Sequence, residues 1–289
     1  MHANWLIPDW PVPAQVRAVF TTRHGGVSPA PWDSLNLGDH VGDDLARVAA
    51  NRKALERAMG QRPVFLKQIH GADVLNIDTG SADGQAFDAC ITSQRQIACT
   101  IMVADCLPVL FATADGRSVG AAHAGWRGLA GGAGLPGAWP ADRASADGVL
   151  EAIYASIKAL AQSVWEPDAI ESVANEAPEV MAWLGPCIGP SAFEVGAEVK
   201  AAFESIQPQF AKCFALTTAG KYLADLPALA RLRLSALGVN KVYGNDGSAE
   251  WCTVSNPSRF FSHRRDAGVA SGSNGFGTTG RMAACIWID

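Results

Sequence analysis

The sequence is poor in charged residues, and this limits the kinds of protein that it can encode. Charged side chains make up 18% of the 289 residues, against about 25% in an average globular chain. The 28 acidic and 23 basic residues give a net charge of −5 without any block of like charge, so nothing attracts a polyphosphate backbone. With 48% hydrophobic residues, the composition predicts a folded protein that does not bind nucleic acid.

Long apolar runs, a secretion signal and paired cysteines are also missing. The most apolar window, 97–114, is interrupted by Asp105 and Pro108 and falls short of the roughly 20 residues of a membrane span. The N-terminal segment lacks the basic and apolar regions of a signal peptide. The seven cysteines are odd in number and have no regular spacing, which argues against a disulfide framework. We therefore expect a cytoplasmic protein without a membrane partner.

Strand and helix patterns occur in clusters along the chain. Short apolar segments bounded by turn residues predict buried strands at 16–22, 64–68, 97–104, 109–113, 119–123 and 283–288. Apolar residues at helical spacing predict helices at 43–59, 149–164, 194–206 and 226–237. This order favours an α+β fold over the regular alternation of a doubly wound sheet.

We expect one elaborate domain over residues 1–289, with loop insertions at 129–148 and 166–178. The segment 128–148 is rich in glycine and follows His123 by five residues. It is therefore predicted to be a mobile lid beside the site described next.

Three candidate metal ligands, His70, Cys106 and His123, each stand where an apolar strand ends and a Gly or Pro turn begins. Imidazole and thiolate are donors that zinc prefers, and three protein ligands with an open fourth position are typical of a catalytic zinc site. The separations of 36 and 17 residues match no short metal signature. A packing thiol with turn-capping histidines, a metal-free hydrolase with Cys106 as nucleophile and His123 as base, and a non-catalytic metal-binding protein therefore stay open.

Arginines in turn-rich segments are candidate ligands for phosphate. Arg23 precedes a Gly-Gly turn, Arg127 closely follows His123, and Arg264 lies between a histidine and a second arginine. Salt bridges to acids such as Asp266 are the structural alternative for these side chains.

Two acidic residues have both a functional and a structural interpretation, whereas two histidines have only a structural one. Asp88 and Asp105 are candidates for orienting a ligand or moving a proton, with ordinary turn capping as the alternative. His24 and His40 lie in polar, glycine-rich segments and are predicted to be solvated.

Ten blocks, in order along nearly the whole chain, resemble the YfiH or laccase-domain family, formerly called polyphenol oxidases and now linked to purine nucleoside metabolism. The blocks are TTRHGGVS (21–28), LNLGDHVGDD (35–44), NR (51–52), QIHG (68–71), ADCLPVLF (104–111), AHAGWRG (122–128), WLGPCIGP (183–190), FEVG (193–196), FFSHRRD (260–266) and TGRMAA (279–284). By this resemblance the metal ligands of the family fall on His70, Cys106 and His123.

The resemblance implies an α+β fold with a β-sandwich-like core flanked by helices, in a monomer or homodimer. It implies zinc as the cofactor, with copper in the oxidase interpretation, and a nucleoside and phosphate as small-molecule partners. Activities of such proteins include phosphorolysis of adenosine, inosine, guanosine and methylthioadenosine, deamination of adenosine, editing of peptidoglycan precursors and oxidation of phenols. We assign catalysis to Cys106, His123 and Asp105, and substrate binding to Arg23, Asn36, Arg127 and Arg264.

Two features of the sequence help to choose among these activities. Multicopper oxidases need several His-rich copper sites, whereas this chain has six histidines in all. The zinc-site signature of the base deaminases is absent, which disfavours a dedicated deaminase. We therefore expect a zinc-dependent purine nucleoside phosphorylase with adenosine deamination as a side activity. Copper-dependent polyphenol oxidation and amide hydrolysis of peptidoglycan precursors stay as alternatives. This sequence has His263 where the family usually shows Tyr, a departure that bears on the range of substrates.

Overall fold

In the computed structural model, which describes residues 2–131, 147–163, 178–266 and 278–289, the chain forms three β-sheets and six α-helices. The strands are β1 (Val16–Phe20), β2 (Arg62–Phe65), β3 (Val74–Asn76), β4 (Ala89–Thr92), β5 (Ile97–Val103), β6 (Leu107–Thr113), β7 (Val119–Ala124), β8 (Val180–Leu184), β9 (Glu194–Gly196), β10 (Phe214–Thr218), β11 (Lys221–Ala224), β12 (Val242–Gly244) and β13 (Met282–Ile288). The helices are α1 (Leu45–Met59), α2 (Trp126–Ala130), α3 (Val149–Ser163), α4 (Ala197–Ile206), α5 (Leu226–Ala236) and α6 (His263–Asp266).

Two large sheets pack face to face. One has the strand order β1-β13-β5-β2 and the other β12-β8-β6-β7-β4-β3, while β10-β11-β9 forms a small third sheet. Most neighbouring strands of the large sheets are antiparallel, which excludes the doubly wound alternative and confirms the predicted α+β class with a sandwich-like core. Alternate residues of both sheets fill the layer between them, including Ile101, Leu110, Ala121 and Ile286.

Helices cover the outer faces of both sheets, so the central strands are buried on two sides. The other residues of β5, such as Ala98 and Met102, pack towards α1, and the outward residues of β6 and β7 pack against α3, α4 and α5. This double burial explains why these strands are apolar throughout rather than alternating in polarity.

The predicted elements are found, with shifts at their ends. α1 begins at Leu45 because the carboxylate of Asp44 caps it, accepting hydrogen bonds from two backbone N–H groups of the first turn. The prediction of one helix over 194–206 is wrong for its first three residues, which form β9 and pair with β11. The helix starts only after Gly196.

The described residues include no helix that is both long and apolar enough to cross a bilayer. The predicted insertion at 166–178 lies outside the described residues except for its last residue. Residues 132–146 of the predicted insertion and lid also lie outside them.

Candidate metal centre

The three predicted donors meet at one end of the sandwich, where the chain passes between the two large sheets. After β5, residues 104–106 lead across to β6, so Cys106 stands directly before that strand. β7 runs antiparallel to β6 and pairs His123 with Pro108, which brings the imidazole beside the thiol. His70 lies on the connection from β2 in one sheet to β3 in the other.

The donor atoms of His70, Cys106 and His123 all lie within 4.8 Å of one another, the one such group among the described residues. The two imidazole rings are 4.9 Å apart between centroids and nearly perpendicular, at 74°. His123 is buried, Cys106 half-buried and His70 exposed, so the group is open on one side. A thiolate and two imidazoles in this arrangement fit a single metal ion with a free coordination position.

Asp88 organises two of the three donors from a fully buried position. Its carboxylate accepts hydrogen bonds from the backbone N–H groups of Ile69 (3.1 Å), His70 (2.9 Å) and Gly71 (2.5 Å). It also lies 2.8 Å from Nδ1 of His123, which leaves Nε2 of that ring for a metal. Asp88 therefore orients the His70 loop and selects the free nitrogen of His123.

Two of the three non-glycine residues with a positive φ in the described part of the chain lie at this centre. His70 and Asp105 have φ angles of 61° and 90°, in the left-handed region that side chains other than glycine rarely adopt. The hydrogen bonds to Asp88 offset this strain at His70. Gly125 is needed for a different reason, because a Cβ there would lie 3.1 Å from Cδ2 of His70 and 3.2 Å from Sγ of Cys106.

Cys106 and His123 stabilise each other's charged forms. Burial raises the pKa of Cys106, but the charge of His123 and hydrogen bonds with both histidines outweigh it and lower the pKa to about 6. Burial lowers the pKa of His123, but Cys106 and Asp88 outweigh it and raise the pKa to about 9. At neutral pH this favours a thiolate, which is the form of cysteine that binds metals and attacks electrophiles.

The pKa of Asp88 follows the same balance. Burial raises it, but the hydrogen bond with His123, the charge of that ring and the backbone N–H groups outweigh burial and hold the pKa below its ordinary value. The carboxylate therefore stays ionised beside His123.

Asp105, predicted to be catalytic, joins loops around the centre. Its carboxylate accepts hydrogen bonds from the hydroxyl of Thr253 and from the backbone N–H of Arg264, both at 2.6 Å. Its backbone carbonyl accepts from the N–H of Ile188 at 2.9 Å. These contacts give Asp105 a positioning role for the residues on either side of Cys106.

None of the four predicted substrate ligands lines the cavity over the centre. Arg23 donates to the carbonyls of Asp33 and Pro257, each at 2.8 Å, and its Nη2 lies 3.0 Å from the Asp33 carboxylate. Its guanidinium therefore joins two loops. Arg127 lies over the ring of Trp126, with Cζ 4.5 Å from the ring centroid.

The other two predicted ligands, Asn36 and Arg264, differ in their surroundings. Asn36 is buried, and its Oδ1 accepts a hydrogen bond from the backbone N–H of Arg281 at 2.9 Å. It thus positions another residue instead of facing a ligand. Arg264 donates to the carbonyl of Glu194 at 3.0 Å and lines a small recess beside Cys106.

A cavity of about 300 Å³ opens over the three donors, and polar side chains supply much of its lining. Besides His70, Cys106 and His123, these are His40, Gln68, His263 and Arg281. Gln68 is fixed by two hydrogen bonds of 2.8 Å with the backbone of Met102 in β5. The cavity therefore combines a floor of three candidate metal ligands with a cationic and hydrogen-bonding wall.

His40 and Arg281 are absent from the predicted site. His40 is exposed, as predicted for a solvated residue, but it lines the cavity. Arg281 precedes β13, and the pairing of Met282 with Val103 brings it beside the crossing from β5 to β6. Its place in the TGRMAA block is the sequence signal that could have identified it.

Comparisons with known proteins show the family of this chain and agree with its fold. A family model described as "multi-copper polyphenol oxidoreductase laccase" matches residues 17–135 and 144–289. A protein of Pseudomonas aeruginosa named purine nucleoside phosphorylase is 41% identical, and one of Escherichia coli named purine nucleoside phosphorylase YfiH is 40% identical, each match covering 98% of both chains. A solved structure from Neisseria meningitidis has a TM-score of 0.79 with 42% identity and covers 99% of each chain. The structure of YlmD from Geobacillus stearothermophilus has a TM-score of 0.74 with 30% identity, covering 100% of this chain and 97% of that one.

Proposed function

We propose that this chain, which belongs to the family described as multi-copper polyphenol oxidoreductase laccase, is a metal-dependent enzyme that cleaves purine nucleosides with phosphate. One observation carries the proposal: the group of His70, Cys106 and His123 borders a cavity that Arg281 also lines. A set of metal ligands thereby adjoins a cation suited to phosphate. Relatives at 38% to 41% identity that are named purine nucleoside phosphorylases support this choice.

The proposed metal is zinc, with copper as the alternative ion. His70, Cys106 and His123 would hold it, and their donor set supports this: a thiolate, a ring nitrogen of His70, and the Nε2 that Asp88 leaves free on His123. A bound zinc ion supplies a Lewis acid that polarises an oxygen of phosphate or of the substrate.

In the proposed reaction, a phosphate ester replaces the glycosidic bond. An oxygen of hydrogen phosphate forms a bond to C1′ of the ribose while the bond from C1′ to N9 breaks, and the electron pair of that bond stays on the purine. The proton that hydrogen phosphate loses is the one that the purine gains. The products are the free base and ribose 1-phosphate, and positive charge develops at C1′ on the way.

The side chains of the cavity would bind and orient the reactants. Arg281 donates from Nη1 to the carbonyls of Thr279 (3.0 Å) and Gly280 (3.3 Å), which fixes its guanidinium and leaves other N–H groups for phosphate. His40 adds a donor on the same cavity. We propose adenosine, inosine, guanosine and methylthioadenosine as substrates, with deamination of adenosine as a side activity.

Incubation of the zinc-loaded protein with inosine, with and without phosphate, tests this function. Chromatography of the products should show hypoxanthine and ribose 1-phosphate only when phosphate is present. Hypoxanthine formed equally without phosphate would identify a hydrolase, and an absence of cleavage with all four nucleosides would refute the proposal.

Replacement of Arg281 tests its place in the reaction. Arg281→Gln should raise the KM for phosphate about 10- to 100-fold, the range expected for a lost hydrogen bond to a charged group. Arg117→Gln, on the exposed turn between β6 and β7, is the matched control and should leave this KM unchanged. An unchanged phosphate KM in Arg281→Gln would remove Arg281 from the phosphate site.

A second candidate is a cysteine hydrolase, and one observation favours it. Asp88 bonds Nδ1 of His123, and His123 in turn stabilises the thiolate of Cys106. A thiolate beside an imidazolium is an activated nucleophile for amide bonds, such as those of peptidoglycan precursors. The chelated protein distinguishes the two candidates, because only the hydrolase keeps a Cys106-dependent activity without metal.

Oxidation of phenols has less support from the site than either candidate. Reduction of dioxygen to water takes four electrons, and multicopper oxidases use several His-rich copper centres for it. The sequence has six histidines, and the described residues hold one group of donors suited to a metal. Copper at this centre is therefore retained only as an alternative to zinc.

A further inference from the structure

A second recess adjoins the polar cavity and shares Ala104, Cys106 and His263 with it. The recess is smaller, about 140 Å³ against about 300 Å³, and its chemistry is different. Apart from Asp105 and Arg264, the rest of its lining is aromatic or aliphatic: Trp126, Ile188, Phe193 and Leu226. Two cavities with different linings therefore meet at the same thiol.

We propose that this apolar recess binds the purine base of the substrate, an inference that rests on the proposed function. A purine is planar, and its two faces bind well to aromatic and aliphatic side chains. Phosphate and the ribose hydroxyls need hydrogen-bonding groups, and these line the larger cavity. With the base in the recess and phosphate beside Arg281, the glycosidic bond lies next to Cys106, where the two cavities meet.

Arg264 is the cation of the recess and gives it a second function. Its Nη1 donates to the carbonyl of Glu194 at 3.0 Å, and its Cζ lies 5.6 Å from the centroid of the Phe193 ring. A guanidinium has five N–H donors, so others remain for the ring nitrogens or carbonyl oxygen of a base. Negative charge develops on the purine as it departs, and a cation at this place stabilises it.

The recess is built on fixed backbone contacts that connect it to the metal ligands. Asp105 accepts from the N–H of Ile188 through its carbonyl and from the N–H of Arg264 through its carboxylate. Trp126 follows Gly125, the residue that packs against His70 and Cys106. Ile188 and Arg264, on two walls of the recess, are thus hydrogen-bonded to Asp105, the residue before Cys106. These bonds fix the position of a bound base relative to the three metal ligands.

Kinetic measurements on Trp126→Ala and His40→Ala test the assignment, because each variant alters one cavity. Trp126→Ala should raise the KM for inosine about 5- to 100-fold, the range for loss of one base-stacking side chain, and leave the KM for phosphate within about twofold. His40→Ala should raise the KM for phosphate without weakening the binding of the free base, because His40 lines only the larger of these two cavities. Trp126→Phe keeps an aromatic ring and should restore most of the affinity for inosine, which separates stacking from a general disturbance of α2.

Binding of free hypoxanthine, measured by calorimetry, gives a readout that does not depend on turnover. The wild-type protein and His40→Ala should bind the base, whereas Trp126→Ala and Arg264→Gln should bind it at least about fivefold more weakly. If inosine is cleaved but Trp126→Ala raises the phosphate KM and His40→Ala weakens the binding of hypoxanthine, the orientation is reversed and the inference is wrong. If no nucleoside is cleaved, the proposed function fails, and hypoxanthine binding that is absent or unaffected by Trp126→Ala overturns the recess separately.

Discussion

Cys99 and Cys106 stand seven residues apart on the same passage from β5 to β6, yet their thiols differ in acidity. Cys99 lies between the sheets, where burial and the neighbouring thiols of Cys90 and Cys285 raise its pKa well above the ordinary value. Cys106 lies at the end of the sandwich beside two histidines, and its pKa is lowered to about 6.

The difference shows that charged neighbours, and not burial alone, make a cysteine reactive in this fold. Burial raises the pKa of both thiols. Only Cys106 has imidazoles that favour the thiolate, and one of them is held in place by Asp88. Burial likewise raises the pKa of Cys213 to about 11 and that of Cys285 to about 12, which favours the protonated form of both thiols at neutral pH.

The strongest test of this comparison removes each thiol in turn. Cys106→Ala should lose the metal, since two donors make a poor zinc site, and should lower the rate of inosine phosphorolysis at least about 1000-fold. Cys99→Ala should keep both metal and rate. Native mass spectrometry measures zinc occupancy, and near-full occupancy in Cys106→Ala would show that the ligand assignment is wrong.

Asp88→Asn tests whether the buried carboxylate prepares the centre. An amide places N–H groups where the carboxylate accepts hydrogen bonds from the His70 loop, and it no longer favours the His123 orientation. Zinc affinity should fall about 10- to 100-fold, as for other partners of metal-binding histidines. Competition with a chromogenic chelator measures it on the folded protein.

The control for this variant is Asp115→Asn. Asp115 also accepts two hydrogen bonds, from the Thr113 hydroxyl and the Arg117 N–H, but it follows the far end of β6. This variant should bind zinc with wild-type affinity. Equal affinities for both variants would mean that Asp88 only stabilises the fold.

The pH dependence of thiol reactivity sharpens the comparison in the chelated protein. With a pKa of about 6, half of the Cys106 population is thiolate at pH 6, against about 0.3% of an ordinary thiol of pKa about 8.5. The lower basicity reduces its intrinsic nucleophilicity about tenfold, so reaction with an aromatic disulfide at pH 6 should be about tenfold faster than for free cysteine. The rate should rise through pH 6 and level off above it.

Of the seven thiols, only Cys106 should react at this rate. The Cys106→Ala variant should therefore lose the fast phase of the reaction with the disulfide. The other six thiols are buried and should react only on unfolding. A fast phase that persists in Cys106→Ala would place the reactive thiol elsewhere, and a midpoint near pH 8.5 would show that the histidines do not stabilise the thiolate.

Sequence reasoning found the three donors that the structure brings together because their signal is local. His70, Cys106 and His123 each follow or precede an apolar strand at a Gly or Pro turn, and strands of one core bring such ends together. The helices with a clear apolar stripe were found for the same reason. The short strands of the third sheet were missed, since β10 is exposed along most of its length and lacks that pattern.

The cationic wall of the cavity depends on contacts that are distant in sequence. Arg281 reaches the centre only because β13 pairs with β5, which places Met282 opposite Val103. Arg23 has an equally suggestive sequence context but is held by Asp33 and Pro257. A sequence identifies which arginines adjoin turns, whereas strand pairing decides which of them reaches the cavity.

The smallest expected effect comes from adding one methyl group beside the centre, in Gly125→Ala. The backbone of Gly125, with φ −64° and ψ 158°, suits alanine, so the fold should tolerate the change. The new Cβ would stand 3.1 Å from Cδ2 of His70 and 3.2 Å from Sγ of Cys106. These contacts are tighter than normal packing, so the two ligands must move apart, and we expect zinc affinity to fall about three- to tenfold with little change in Tm. Gly80→Ala, whose Cβ would meet only Oδ1 of Asp78 at 3.4 Å, is the matched control. Chelator competition measures the zinc affinities. Equal affinities of the two variants would show that a side chain at position 125 does not separate His70 from Cys106.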